Sequence, residues 1–183
     1  MTLLPTSSQT IGPFFHDAIL RPDATRHVVG AAAPGERLRI DGRVLDGDGA
    51  PVQDALVEIW QADHAGRYNA HGFLGFGRSG TDTEGRYWFD TIRPGRVAFD
   101  TARQQASHLN VAIFARGLLN HLFTRIYFAD DPATGDDPVL ALVPKARRHT
   151  LLATPGESAA GVTRYAFDIV LCGEDERRLH GQR

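Results

Sequence analysis

The 183-residue sequence predicts an all-β protein built as an antiparallel sandwich or barrel. Three observations carry this. Short stretches of apolar and polar residues alternate with a period of two, most clearly at 38–44 and 108–115, the signature of half-buried strands. The 19 Gly and 10 Pro are dispersed along the chain, so turns separate these stretches at regular spacing. The helical signals are short and confined to the region after Asp137. The length suits one domain, large enough to bury roughly 70% of the surface its unfolded chain exposes.

Taken in order, residues 1–35 form an extended N-terminal arm punctuated by Pro5, Pro13, Pro22 and Pro34, each of which biases its predecessor away from the helical region. The arm carries Ile11, Phe14, Phe15, Ile19 and Leu20, so it must lie either on its own domain or on a partner. The domain proper is expected over 36–183. In its first strand Leu38, Ile40, Gly42 and Val44 alternate with Arg39, Asp41 and Arg43. Asp46-Gly47-Asp48-Gly49 is a turn; a calcium loop is rejected because Ala50 and Pro51 stand where a ligand and the required Gly belong. A second strand covers 55–60, and His64-Ala65-Gly66 turns the chain toward Tyr68. Strands at 78–81 and 87–92 flank the turn Thr83-Glu84-Gly85, and Arg93-Pro94-Gly95 breaks the chain again. Strands at 108–115, 124–128 and 165–171 complete the set. Asp137-Pro138 is a cap and first-turn pair for a short helix at 139–143, and Pro144 opens a second turn through Leu152.

Composition excludes several classes of function. The net charge of −2 supplies no bulk field for nucleic acid or an anionic membrane. No apolar run approaches 18 residues, and residues 1–8 lack the basic and apolar regions of a secretory signal, so no membrane partner and a cytoplasmic location are expected. The single Cys172 excludes a disulfide framework and thiolate metal sites. A metal would need His, Tyr or carboxylate ligands, and 8 His and 4 Tyr leave that open. Gly75-Phe76-Gly77-Arg78-Ser79-Gly80 spells a dinucleotide fingerprint, but a turn and a strand follow it where the fingerprint needs a helix.

Two local patterns bear on chemistry. His108 and Asn110, at i and i+2 of a strand, project from one face and resemble half of a metal site; a hydrogen-bonded structural His108 fits as well. Arg125 is a charge inside an apolar strand, on one face with Tyr127 and opposite Ile126 and Phe128. It is either solvent-exposed or a pocket residue that grips a carboxylate in a two-point fork.

From about residue 36, the stretches LRIDGRVLDGDG (38–49), PVQDALVEIWQADHAGRY (51–68), GRSGTDTEGRYWFDTIRPG (77–95) and YAFDIVLCG (165–173) together resemble the intradiol ring-cleaving dioxygenases. The resemblance implies an antiparallel β-sandwich with short peripheral helices. In the family's catalytic chains a mononuclear Fe(III) is held by two Tyr and two His, anionic phenolates and imidazoles that suit a ferric ion. Those positions match Tyr68, Val97, His108 and Asn110, so two of the four ligands are absent here. Gln105 stands where the catalytic chains carry an Arg before the His strand.

The pattern is similar to the family's α-type subunits, which bind no iron. It implies a homologous β subunit as partner in an α–β assembly, with the Fe(III) cofactor bound by that subunit and none in this chain. The implied reaction is intradiol cleavage of protocatechuate (3,4-dihydroxybenzoate) by O2 to 3-carboxy-cis,cis-muconate. Ser8-Gln9-Thr10-Ile11-Gly12-Pro13 matches a pocket-lining segment of the α-type arm, which implies substrate contacts for Thr10, Gly12 and Pro13. Arg125 matches an Arg placed near the substrate carboxylate. Tyr68, Val97, His108 and Asn110 become vestigial iron-site positions. Two other readings share these residues: a self-sufficient intradiol enzyme with an altered iron site, and a non-enzymatic sandwich module that binds a small molecule.

Overall fold

The computed structural model describes residues 18–20, 26–30, 32–173 and 176. Eleven strands are present among them: β1 (Arg37–Leu45), β2 (Leu56–Trp60), β3 (Phe76–Gly80), β4 (Arg86–Ile92), β5 (Val97–Ala98), β6 (Gln104–Gln105), β7 (His108–Phe114), β8 (Leu122–Phe128), β9 (Leu152–Ala159), β10 (Val162–Ala166) and β11 (Ile169–Val170). The strands expected from two-residue alternation all form. The expected strand at 165–171 divides into β10 and β11 around Phe167 and Asp168. There the Phe167 N–H donates to the Asp41 carbonyl, and the Asp168 carboxylate accepts from the Arg43 N–H at 2.8 Å.

Two sheet halves face each other. One holds β4, β1, β10 and β9, the other β8, β7, β2 and β3. β9 belongs to both: Leu152 and Ala153 pair with β8, and residues from Thr154 onward pair with β10. Most pairings are antiparallel, including β1–β4, β2–β3, β2–β7 and β7–β8. β1–β10 and β1–β11 are parallel, because the chain returns to its first strand after a long connection, and β8–β9 is parallel across the segment 129–151 that joins them. The core fills the space between the halves. Leu38, Ile40 and Val44 of β1 and Phe89 of β4 meet Val57 and Ile59 of β2, Leu109, Val111 and Ile113 of β7, and Ile126 and Phe128 of β8, all buried. Each is the inward half of an alternating strand.

Gly77 shows why the fingerprint-like glycines are there. A Cβ on it would stand 2.6 Å from the Val28 side chain and 3.0 Å from Phe89, so glycine lets the edge strand press onto the core. Residues 26–30 run beside β4, with Val28 in the core and its N–H donating to the Asp90 carbonyl at 2.9 Å. Thr10, Gly12 and Pro13 lie outside the described residues.

Three 3₁₀ segments form: Pro132–Asp136, which no expected turn covers, and Leu140–Leu142 and Lys145–Leu151 at the two expected helical turns. Asp137 caps the second, accepting from the N–H groups of Val139 and Leu140 at 2.9 and 2.7 Å. These segments cover one end of the outer face of β7–β8, where Tyr127, Leu140, Val143, Leu151 and Ala106 form a second buried cluster. The rest of that face stays open and carries the site. No helix among the described residues is long and apolar enough to cross a membrane.

Candidate functional site

The outward-facing residues of β2, β3, β7 and β8 line a cleft of about 760 Å³, with Trp60, Phe76, Ala112 and Phe123 as apolar walls, Asn110 and Arg125 at one polar end, and the Glu58 carboxylate, paired with Arg78, also in the lining. Strand register brings these together. Trp60 lies opposite Asn110, and Asn110 opposite Arg125, so three neighbouring strands contribute one transverse row. Trp60 and Phe123 are 42% and 64% exposed, large apolar surfaces that a buried strand position would not show.

Tyr68 reaches the row from the loop after β2. Asp63 builds the turn that delivers it, accepting from the N–H groups of Ala65 and Arg67 at 2.9 Å each and from Arg67 Nε at 3.0 Å. Gly66 in this turn has φ +79°, and a Cβ there would stand 2.0 Å from the Arg96 carbonyl oxygen. Only glycine permits that approach. It docks the Tyr68 loop against the loop leading to Val97. Tyr68 packs on Trp60 with ring centroids 4.6 Å apart.

The phenol of Tyr68 accepts from the Asn110 amide at 2.9 Å and lies 3.4 Å from His108 Nε2. His108 Nδ1 is 2.8 Å from the Ala106 carbonyl and must donate to it, which leaves Nε2 as the acceptor for the Tyr68 hydroxyl. Burial, and then the positive charge of Arg125, depress the His108 pKa to about 4, so the ring is neutral at ordinary pH. Burial raises the Tyr68 pKa against the lowering effect of Asn110, so the phenol keeps its proton.

The structure thus joins three of the four expected iron-ligand positions, Tyr68, His108 and Asn110. Val97 sits in β5, paired with Gln105 of β6. This donor set does not fit a ferric ion. Valine has no donor atom, and the Asn110 amide nitrogen is committed to Tyr68 and, at 3.3 Å, to the Trp60 carbonyl. Tyr68 and His108 are then the two remaining donors of the four positions, and they lie 3.4 Å apart, phenol oxygen to Nε2. Among the described residues no cluster of three or more His, Cys, Asp or Glu could hold a metal.

Arg125 is half-buried. Its Nη1 donates to Gln105 Oε1 at 2.8 Å and to the Tyr127 hydroxyl at 3.3 Å. Tyr127 is fully buried, and its hydroxyl donates to Asp137 Oδ1 at 3.0 Å. Burial raises the Tyr127 pKa despite the nearby Arg125, and the Asp137 carboxylate adds to the rise. Among the described residues Arg125 has no carboxylate within ion-pairing distance, and neither Nε nor Nη2 has an acceptor. Other arginines of the sheets contrast with it: Arg39, Arg78 and Arg164 pair with Asp90, Glu58 and Asp41. Sequence reasoning placed Arg125 and Tyr127 on one face and read Asp137 as a helix cap, but it had no signal that the three form one chain of hydrogen bonds.

Residues 11–173 match the family model described as Dioxygenase. The chain is 40% identical to the protocatechuate 3,4-dioxygenase alpha chain of Burkholderia cepacia, over 96% of each chain. The chain belongs to the intradiol dioxygenases. It is also 37% identical to the protocatechuate 3,4-dioxygenase beta chain of the same organism, over 92% of this chain and 76% of that one. Among solved structures, the dioxygenase domain of a carbohydrate-binding fusion protein from Streptomyces sp. SirexAA-E superposes with a TM-score of 0.66 at 30% identity, covering 91% of this chain and 97% of that domain. The sheet-rich architecture of this intradiol dioxygenase chain is thus that of its structural relatives.

Proposed function

We propose that this chain is the α-type, iron-free subunit of a protocatechuate 3,4-dioxygenase, and that it shapes the substrate pocket of a homologous, iron-bearing partner. Its likeness to both an alpha and a beta chain supports a hetero-oligomer of two related sandwiches. The mismatch between the Tyr68, Val97, His108 and Asn110 set and a ferric ion supports placing Fe(III), and with it the redox chemistry of ring opening by O2, on the partner. Tyr68, His108 and Asn110 then serve packing and hydrogen bonding in this chain.

Arg125 carries the reading. It is a half-buried guanidinium at the end of an aromatic-walled cleft, with a charge that no carboxylate of the described residues neutralises and with Nε and Nη2 unspent. Such a fork suits the carboxylate of 3,4-dihydroxybenzoate in a two-point contact. The flat apolar walls suit the ring. Binding of the carboxylate end by Arg125 would fix the ring's orientation for chemistry at a metal held by the partner, and the apolar walls would exclude water from the ring. On the strength of the resemblance, Thr10, Gly12 and Pro13 of the N-terminal arm (1–35), outside the described residues, are proposed as further substrate contacts, with residues 36–183 as the sandwich domain.

The test is Arg125→Ala in the assembled complex. Loss of a charge-assisted contact of roughly 1.5–3 kcal/mol raises the KM for 3,4-dihydroxybenzoate by about tenfold or more, with iron content unchanged. An unchanged KM in an intact complex refutes the role of Arg125.

A further inference from the structure

We infer that Gln105, Tyr127 and Asp137 are positioning residues for Arg125, which lock one edge of its guanidinium so that the other edge faces the cleft. This rests on the reading of Arg125 as the group that holds the substrate carboxylate, and it assigns that specificity to residues outside the cleft wall.

The donor and acceptor capacity of each group fixes its place in this chain of hydrogen bonds. The Tyr127 hydroxyl has one proton. Asp137 Oδ1 takes it at 3.0 Å, so the hydroxyl turns its lone pairs toward Arg125 Nη1 at 3.3 Å. Asp137 cannot rotate away. It is 1% exposed, and its carboxylate also accepts from the backbone N–H groups of Ala106 at 2.7 Å, Val139 at 2.9 Å and Leu140 at 2.7 Å. Gln105 Oε1 supplies the second acceptor for Nη1 at 2.8 Å from the facing β6 strand. Both groups that touch the guanidinium are neutral. The nearest carboxylate of this network, Asp137, acts through a phenol and forms no ion pair with Arg125. The network therefore fixes orientation while leaving the positive charge available to a ligand. A direct carboxylate partner would fix the guanidinium equally well and cancel the charge that binding needs.

The inference is tested in the assembled complex with the iron-bearing partner chain. Tyr127→Phe and Gln105→Leu each remove one acceptor from Nη1. Affinity is read as KM and kcat for 3,4-dihydroxybenzoate, and as an inhibition constant for catechol, the same ring without the carboxylate. Each variant is expected to raise the KM about five- to tenfold, with kcat within twofold and the catechol constant unchanged. Gln105 is partly exposed on a two-residue strand, so its replacement keeps the test valid should Tyr127→Phe fail to fold. A native KM in both variants, while Arg125→Ala raises it, overturns the positioning role and leaves the role of Arg125 standing. Equal weakening for both ligands also overturns it, because loss of structure does not discriminate the carboxylate. A native KM in Arg125→Ala overturns the underlying reading instead.

Discussion

Asp137→Asn tests how much of the site's framework hangs on one buried carboxylate. Oδ1 of Asp137 serves three donors, the Tyr127 hydroxyl and the N–H groups of Val139 and Leu140, and Oδ2 serves the Ala106 N–H. Asparagine keeps one oxygen. Turned to serve the three donors, it aims an amide N–H at the Ala106 N–H, two donors in contact without water. The buried Ala106 donor then lies unsatisfied, at about 1–3 kcal/mol, and the remaining bonds lose their charge assistance, so the whole change is about 3–5 kcal/mol. In a domain of this size 1 kcal/mol corresponds to roughly 2–4 °C, so Tm falls by roughly 10 °C. Urea denaturation should show a lower midpoint with an unchanged slope. A loss below about 1 kcal/mol would refute the view that this carboxylate ties the 3₁₀ segments to β6–β8.

Two further outcomes follow from local geometry. His108 has a folded pKa of about 4 against an ordinary 6.5, so the unfolded chain takes up a proton that the folded chain refuses between those values. Stability from this residue is complete above pH 6.5 and is lost as pH falls toward 4, by about 3 kcal/mol. His108→Gln should flatten that part of the pH–stability curve relative to the native chain, and parallel curves would contradict the assignment. Gly66→Ala places a methyl 2.0 Å from the Arg96 carbonyl at a left-handed φ, so it should cost more than about 2 kcal/mol in thermal unfolding. A native Tm would show that the two loops separate freely.

The strands with inward alternation were legible because burial imposes the period of two. β1 and β7 show it over their whole length, with Leu38, Ile40, Leu109, Val111 and Ile113 on the inner face. β9 was not legible: after Ala153 its residues are exposed and include Pro155 and Gly156, so no burial pattern marks it and only pairing with β10 holds it. β5 and β6 are two residues each, too short for any period. In the site, the face shared by Arg125 and Tyr127 followed from strand geometry, and the missing donor atoms at Val97 and Asn110 from residue chemistry. The contact of Arg125 with Gln105 was invisible, because it depends on how the β5–β6 ribbon folds across β8. That Asp137 caps a turn could be read locally, but its bonds to Tyr127 and Ala106 join segments 10 and 31 residues away.

Iron analysis of the purified chain, alone and in complex with an iron-bearing homologous chain, decides which subunit holds the metal. An iron-free α-type assignment predicts that the chain alone carries no stoichiometric iron, shows no tyrosinate-to-iron absorption in the visible range and cleaves no catechol, whereas the complex carries one iron per pair of chains and opens the ring of 3,4-dihydroxybenzoate. Stoichiometric iron and ring cleavage by the chain alone would contradict it.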